Sequence, residues 1–194
     1  MRGNEAIAGA VSSSMAELPS SPRAAPVAGN VRSTLHLRFG IVLLTLSMFG
    51  CDHATKLAAE QALTNGRAVT VVSGVLELRF TTNDDTAFSL LRNFGVARPP
   101  MLLAAVSALA LLGVVAMWIA ARTRASRAQH VGFALVLAGA LGNVVDRTLR
   151  GAVVDFIHVT HWPIFNVADI AVVAGGIVLG LSALLRRPKP EVPA

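Results

Sequence analysis

The chain has 194 residues, of which 54% are hydrophobic and 14% are charged. This composition is too apolar and too poor in charge for an average soluble domain, and the single cysteine excludes a disulfide within the chain. The formal net charge of +6 would suit nucleic acid in a soluble protein, but the basic residues gather at the ends of apolar runs. That distribution indicates membrane topology and no nucleic-acid partner.

Residues 1–36 are rich in Ala, Ser, Pro and Gly and show no apolar periodicity. Such a segment buries too little apolar surface to offset the entropy of ordering it. We therefore expect a disordered N-terminal tail over 1–36, a four-helix transmembrane domain over 37–187 and a cytoplasmic C-terminal tail over 188–194.

Four apolar segments follow the N-terminal tail, and a membrane helix needs ~20 mostly apolar residues. The predicted helices cover 39–63, 99–121, 130–147 and 164–185. The first contains Gly50-Cys51 after a basic and then apolar stretch, which is the layout of a lipoprotein signal. Because the chain returns to the membrane three more times, we interpret Cys51 as a small buried residue of the first helix.

The connection over 64–98 carries β-branched residues, a Ser-Gly turn and alternating apolar residues. These features predict two short strands, over 68–72 and 75–82. The following FSLLRNFG is typical of an amphipathic element at the membrane interface. The predicted fold class is an all-α membrane protein with four transmembrane helices, a small extracytoplasmic β-sheet and this short interfacial element.

The distribution of Lys and Arg predicts the orientation of the chain in the membrane. Basic clusters precede the first helix, fill the link between the second and third, and follow the fourth. Because such loops remain in the cytoplasm, we expect both termini there.

Ionisable residues within apolar segments are functional candidates, because each costs at least ~2.5–3.5 kcal/mol to insert. If the first helix starts near Arg38, Asp52 lies about 21 Å along its axis, and Asp169 lies only about 8 Å from the opposite surface. The charges should therefore collect in the outer half of the membrane, at a site that faces outward. They are Asp52, Lys56, Asp146, Arg147 and Asp169.

Several of these residues have two interpretations. Asp52 and Lys56, at i and i+4, can pair on one helix face, either to neutralise each other or to support a site. The Asn143 amide can hydrogen-bond across helices. Arg147 can hold a carboxylate or a substrate carbonyl, or it can end the helix as an ion pair.

Two aspartates are candidates for acid–base chemistry: Asp155, in the link before the fourth helix, and Asp169, within it. Asn166 lies three residues before Asp169 on the same predicted helix face. Two aspartates brought close together share one proton, so that one acts as base and the other as acid. This arrangement activates water against an amide bond. Alternatively, Asp155 caps a loop and Asp169 bonds another helix.

A metal site is a further alternative, because Asp155, His158 and His161 form D-x-x-H-x-x-H. The Trp162-Pro163 step interrupts helical phase there, and both histidines can instead lie at the water interface. We expect no metal. A metal-dependent membrane hydrolase and a non-enzymatic four-helix protein, such as a small transporter or assembly factor, stay open as alternatives.

Five motifs, in order along 39–185, resemble those of the lipoprotein signal peptidase (signal peptidase II) family. They are D-x-x-T-K at 52–56, N-x-x-x-A-F-S at 83–89, G-N-x-x-D-R at 142–147, V-V-D-F at 153–156 and F-N-x-A-D at 165–169. The resemblance implies an aspartyl endopeptidase of the bacterial inner (cytoplasmic) membrane that needs no cofactor. It would remove the signal peptide from diacylglyceryl-modified prolipoproteins, cutting before the lipidated cysteine.

The same resemblance implies site residues and partners. The catalytic aspartates would be Asp155 and Asp169. The residues that contact substrate would be Asn83, Asn143, Arg147 and Asn166, with Asp52, Lys56 and Asp146 in support. The implied partners are a lipid-modified prolipoprotein, membrane lipid and cyclic peptide inhibitors of the globomycin type, and the implied enzyme is a monomer with its site near the periplasmic face.

The chain departs from the family pattern at NDDTAFS, where the family usually has N-x-G-A-A-F-S. Asp84, Asp85 and Thr86 add charge and bulk to a loop expected near substrate. This departure predicts altered substrate choice or inhibitor sensitivity. It also leaves open a duplicated family member retained for antibiotic resistance.

Overall fold

The structure is a computed structural model that describes residues 29–84 and 100–185. Within these ranges the elements are α1 (Gly29–Leu63), β1 (Ala68–Val72), β2 (Leu76–Asn83), α2 (Pro100–Ala121), α3 (Arg127–Arg150), β3 (Val153–Val159) and α4 (Val167–Leu184). The amphipathic element predicted at FSLLRNFG, the C-terminal tail and residues 1–28 of the predicted N-terminal tail lie outside the described residues.

The four predicted helices are present, but their ends differ from the prediction. α1 begins at Gly29, inside the tail predicted over 1–36. The helix can extend into this segment because no proline interrupts it between Gly29 and the apolar run. α3 continues to Arg150, where Gly151 adopts the left-handed conformation that ends many helices. α4 begins at Val167 rather than at 164, since the preceding Phe165 is held extended by a bridge to β3.

All four helices of the described part are long and apolar enough to cross a membrane. Large apolar side chains on their outer faces are uncovered by protein, among them Leu46, Met117 and Ile177. Apolar surface of this extent is typical of helices whose solvent is lipid. The chain is a multi-pass membrane protein.

The interpretation of Cys51 as a buried residue was wrong, because its side chain is exposed. α1 buries one narrow stripe, on which Asp52, Lys56, Ala59 and Leu63 recur at helical spacing. Cys51 lies just beside this stripe and therefore faces outward.

α3 is the centre of the helix bundle and packs against α1, α2 and α4. Its closest approach is to α4, where glycines leave room for backbone contact. A Cβ atom on Gly139 would overlap the carbonyl oxygen of Ala168, and one on Gly175 would lie 2.6 Å from the Gly132 oxygen. This packing places the first turn of α4 directly against α3.

Adjacent glycines of α4 provide a test of this packing. We expect Gly175→Ala to destabilise the protein by about 1–3 kcal/mol, because the new methyl group overpacks the contact with α3. Gly176→Ala is the matched control, since nothing lies within 4 Å of its added Cβ. Alanine favours a helix by about 0.5–1 kcal/mol over glycine, so this variant should melt no earlier than the wild type. Equal melting temperatures for the two variants, measured in detergent, would contradict the close contact.

The described strands form one antiparallel sheet in the order β1-β2-β3. β1 and β2 confirm the two predicted strands to within a residue. β3 was not predicted, because its Asp and His interrupt the apolar alternation and the segment was interpreted as a plain link. Asp155 pairs with Thr81 of β2, beyond a register irregularity between Leu78 and Thr81.

An apolar cluster attaches the sheet to the helices. Its buried members are Ala59 and Leu63 of α1 and Phe156 of β3. Partly buried residues from β2, β3 and the start of α4 pack around them, namely Leu78, Phe80, Ile157 and Val167. The cluster holds β3 at the ends of α1 and α4, and so fixes Asp155 beside the polar residues of the bundle.

Candidate active site

Asp155 lies within β3 and is 2% exposed. Asn83 Nδ2, at the end of β2, donates to Asp155 Oδ2 at 2.9 Å. Asn166 Nδ2 donates to Asp155 Oδ1 at 2.6 Å. Both carboxylate oxygens are therefore held by neutral amide donors.

Burial raises the pKa of the Asp155 carboxyl from 3.8 to about 6, because desolvation disfavours the charged form. The hydrogen bond from Asn83 lowers this pKa, the negative charge of Asp169 raises it, and the hydrogen bond from Asn166 lowers it. Asp155 therefore retains its proton over a pH range in which aspartate is ordinarily ionised, and it can act as an acid.

Asp169 lies in the first turn of α4, where the N-terminal N–H groups and the helix dipole stabilise a negative charge. Asn143 Nδ2 donates to Asp169 Oδ1 at 2.9 Å. Asp169 Oδ2 accepts the Asn166 backbone N–H at 3.2 Å, and Asn166 Oδ1 accepts the Asp169 N–H at 3.0 Å. These two hydrogen bonds form a capping box, in which Asn166 is the N-cap of α4. The prediction that Asn166 and Asp169 share one helix face was therefore wrong, because Asn166 precedes the helix.

Asn166 forms hydrogen bonds with both aspartates. Its side-chain amide donates to Asp155, and its backbone N–H donates to Asp169. The same Nδ2 also donates to Asn143 Oδ1 at 3.2 Å. Asp155 and Asp169 therefore belong to one hydrogen-bond network, in which their carboxyl groups interact electrostatically.

Lys56 is completely buried beside this network. Its Nζ lies 2.7 Å from Asp52 Oδ2 and 2.8 Å from Asp146 Oδ2. It also donates to Asn143 Oδ1 at 3.1 Å. The predicted pairing of Asp52 with Lys56 is confirmed, and α3 adds a second carboxylate that the sequence did not pair with this lysine.

Lys56, Asp52 and Asp146 form an ion cluster, and its two carboxylates also accept hydrogen bonds from backbone N–H groups. Asp52 Oδ1 accepts the Ala168 N–H at 2.9 Å, and Asp146 Oδ2 accepts the Val154 N–H at 3.4 Å. A Cβ on Gly142 would lie 2.5 Å from Asp52 Oδ2, so this glycine makes room for the carboxylate. α1 is thus tied to the start of α4, and α3 to β3.

Two arginines flank the ion cluster on α3. Arg147 follows Asp146 and is half-buried. Arg150, which was not singled out from the sequence, pairs with Glu60 of α1 at 2.8 Å and lies 3.7 Å from Asp146 Oδ1. The long separation of Arg150 and Glu60 along the chain left no local signal for this pair.

The D-x-x-H-x-x-H spacing does not bring its three side chains together. Strand alternation places Asp155 and His158 on opposite faces of β3. His158 Nδ1 lies 3.8 Å from Glu77 Oε2 of β2, and His161 lies in the following turn with a φ of 65°. Within 29–84 and 100–185, no group of three His, Cys, Asp or Glu side chains could hold a metal ion.

Sequence comparisons identify relatives across most of the chain. The family model for signal peptidase (SPase) II matches residues 44–185. The lipoprotein signal peptidase of Rhodococcus jostii (strain RHA1) is 37% identical over 166 residues, which cover 82% of this chain and 77% of the relative. That of Nitratidesulfovibrio vulgaris (strain DP4) is 36% identical over 165 residues, which cover 81% of this chain and 96% of the relative.

The fold also matches a solved structure. It is a bacterial membrane enzyme determined by the in meso method at 2.3 Å resolution. The match has a TM-score of 0.67 and 26% sequence identity, and it covers 79% of this chain and 94% of the other. The family model, the relatives and the fold agree, and the chain belongs to the signal peptidase II family.

Proposed function

We propose that Asp155 and Asp169 are the catalytic pair of this protease. Membership of the signal peptidase II family makes the chain an aspartic endopeptidase that removes signal peptides from prolipoproteins. We further propose that its substrates carry a diacylglyceryl group and are cut before the lipidated cysteine. The observation that carries the proposal is the single hydrogen-bond network in which Asn166 joins both carboxyl groups.

The different surroundings of the two carboxyl groups suggest their roles. Asp169, at the start of α4, is the base that takes a proton from water as the oxygen attacks the scissile carbonyl carbon. Asp155 is the acid, which gives its proton to the substrate as the tetrahedral intermediate forms. The C–N bond then breaks, and the leaving amine takes up a proton from the pair.

Polar residues around the pair are proposed to bind the substrate. Asn83, Asn143 and Asn166 contact the carboxyl groups and present amides to a peptide bound there. Arg147 is proposed to hold a substrate carbonyl from the adjacent turn of α3. The binding of globomycin-type cyclic peptides at the same place is proposed on the family resemblance.

We propose an orientation with both termini in the cytoplasm of a bacterium and the sheet on the periplasmic side of the inner membrane. The basic clusters at the helix ends support this arrangement. It places the catalytic pair near the periplasmic face, where the scissile bond of a lipid-held precursor lies. We propose, on the family resemblance, that the enzyme acts as a monomer.

The proposal is tested by incubating the purified enzyme with a diacylglyceryl-modified prolipoprotein and with its unmodified precursor. Mass spectrometry should locate the cut directly before the lipidated cysteine, in the modified substrate, and a chelator should leave the rate unchanged. Cutting at another bond, or equal cutting of the unmodified precursor, would overturn the substrate assignment. Loss of activity with chelator would favour the metal-dependent alternative.

The pH dependence of cleavage follows from Asp155. Its pKa is raised above the ordinary 3.8, so its proton is fully bound at low pH and is lost as the pH rises through about 6. We expect kcat/KM to fall above about pH 6, with an apparent pKa that belongs to the pair. The hydrogen bond from Asn83 lowers the Asp155 pKa, so the fall in kcat/KM (the descending limb of the pH profile) should move to higher pH in Asn83→Ala. A limb that stays in place in the variant would contradict the assignment of Asp155 as the acid.

A further inference from the structure

The three N–H donors of Lys56 have three acceptors within reach. An ammonium group has three such donors and no acceptor. Two of the acceptors are the carboxylates of Asp52 and Asp146, which offset the charge of the buried cation. The third is the neutral Oδ1 of Asn143, and it leads directly to the candidate catalytic pair.

The Asn143 amide could adopt two orientations, related by a rotation that exchanges Oδ1 and Nδ2. In the observed orientation, Oδ1 accepts from Lys56 and Asn166, and Nδ2 donates to Asp169. In the other orientation, the amide N–H2 would face two donors, and its oxygen would face a carboxylate. The positive charge of Lys56 makes the observed orientation strongly preferred.

We propose that Lys56 is a positioning residue, which holds the Asn143 amide so that its N–H2 group points at Asp169. Asn143 then orients the Asp169 carboxyl for its role as base. The fixed Oδ1 also keeps an acceptor for Asn166, the amide that binds Asp155. Lys56 thereby acts on both carboxyl groups through Asn143. This inference rests on the proposed catalytic roles of Asp155 and Asp169.

Asp52 and Asp146 have a different part in this arrangement. Each neutralises Lys56 and also accepts a backbone N–H, from Ala168 in one case and Val154 in the other. They therefore fix where the ammonium sits relative to α4 and β3. Lys56 alone among the three contacts the side-chain network of the catalytic pair.

The test must separate positioning from folding, because Lys56→Met alone leaves two buried carboxylates without their cation. Such a loss is strongly destabilising. The Lys56→Met/Asp146→Asn double variant leaves one such carboxylate, Asp52, instead of two. Its fold is checked by circular dichroism and melting before its activity is measured. The reference for it is Asp146→Asn, which keeps the contact of Lys56 with Asn143. Both are compared with the wild type on a diacylglyceryl-modified prolipoprotein.

We expect the kcat of the double variant to be about 100-fold lower than that of Asp146→Asn, as misplaced catalytic groups cause. KM should stay within about twofold, because Lys56 is completely buried and presents no surface to a substrate. In proteins that already carry Asn143→Ala, the same comparison of the double variant with Asp146→Asn should show less than about a threefold difference in kcat, near the scatter of such measurements. The reason is that Asn143, through which Lys56 acts, is already missing.

Three outcomes would overturn the inference. An increase in KM with kcat unchanged would assign Lys56 to substrate binding. Equal losses in the presence and absence of Asn143 would show that Lys56 acts independently of that amide. A double variant as active as Asp146→Asn would show that the amide needs no cation. Failure of the wild type itself to cleave would instead count against the proposed function.

A second variant tests the amide while Lys56, Asp52 and Asp146 all stay in place. Asn143→Asp keeps an acceptor for Lys56 but places an oxygen against the Asp169 carboxyl. Its kcat should fall at least as far as that of Asn143→Ala, again with little change in KM. Activity close to that of the wild type would contradict the need for a donor at this position.

Discussion

Replacing Asp155 by asparagine is expected to lower kcat/KM for prolipoprotein cleavage by about 10³-fold or more, because general acid–base catalysis contributes about 10²–10⁴-fold. The variant cannot supply the proton that we assign to this carboxyl. Its new amide also places an N–H2 group against Asn83 Nδ2 or Asn166 Nδ2, both of which are donors. The measurement is the initial rate of signal-peptide release by purified enzyme in detergent.

The matched control is Glu77→Gln, which makes the same change from carboxyl to amide on the same sheet. Glu77 lies on β2 near His158 and is partly exposed. It should retain activity within about twofold of the wild type, as surface changes usually do. A folded Asp155→Asn variant with wild-type activity would refute its role as the acid.

The second large effect is expected at Asn166, which has two separable functions. Its Oδ1 caps α4 through the Asp169 N–H, whereas its Nδ2 donates to Asp155 and Asn143. Serine caps helices about as well as asparagine, but its short hydroxyl cannot bridge these partners. Asn166→Ser should therefore keep the cap of α4 while kcat falls by about 100-fold.

Asn166→Ala removes both functions and leaves a cavity similar to that of the serine variant. It should lose activity to the same extent and, in addition, about 0.5–2 kcal/mol of stability through the missing cap. If alanine and serine variants melt together, the capping role is wrong. If the serine variant is as active as the wild type, the side-chain amide has no part in orienting the pair.

The helices could be predicted from the sequence because a membrane-spanning helix needs a long apolar run. Such a run is recognised from its own residues, without knowledge of the segments that pack against it. The pairing of Asp52 with Lys56 was equally visible, since both residues lie on one helix within one turn. The exposure of Cys51 could not be predicted, because an all-apolar run does not reveal which narrow stripe of the helix the other helices cover. Polar residues mark that stripe only at its end.

The sheet and the network were harder to predict, because their partners are distant in the chain. β3 forms only because β2 pairs with it, and its own residues alternate too weakly to predict a strand. The backbone donors at Ala168 and Val154 have no side-chain signature at all. The contact of Lys56 with Asn143 depends on the crossing of α1 and α3, which the glycines of the bundle permit.

The most direct test of the catalytic pair compares purified wild type with Asp169→Asn on one diacylglyceryl-modified prolipoprotein, followed by gel shift with and without chelator. The two proteins must first show the same circular dichroism and melting behaviour. The account predicts cleavage by the wild type alone, at the same rate in chelator. Cleavage by a folded Asp169→Asn variant would contradict the assignment of the pair, and no cleavage by a folded wild type would identify a relative that has lost the reaction.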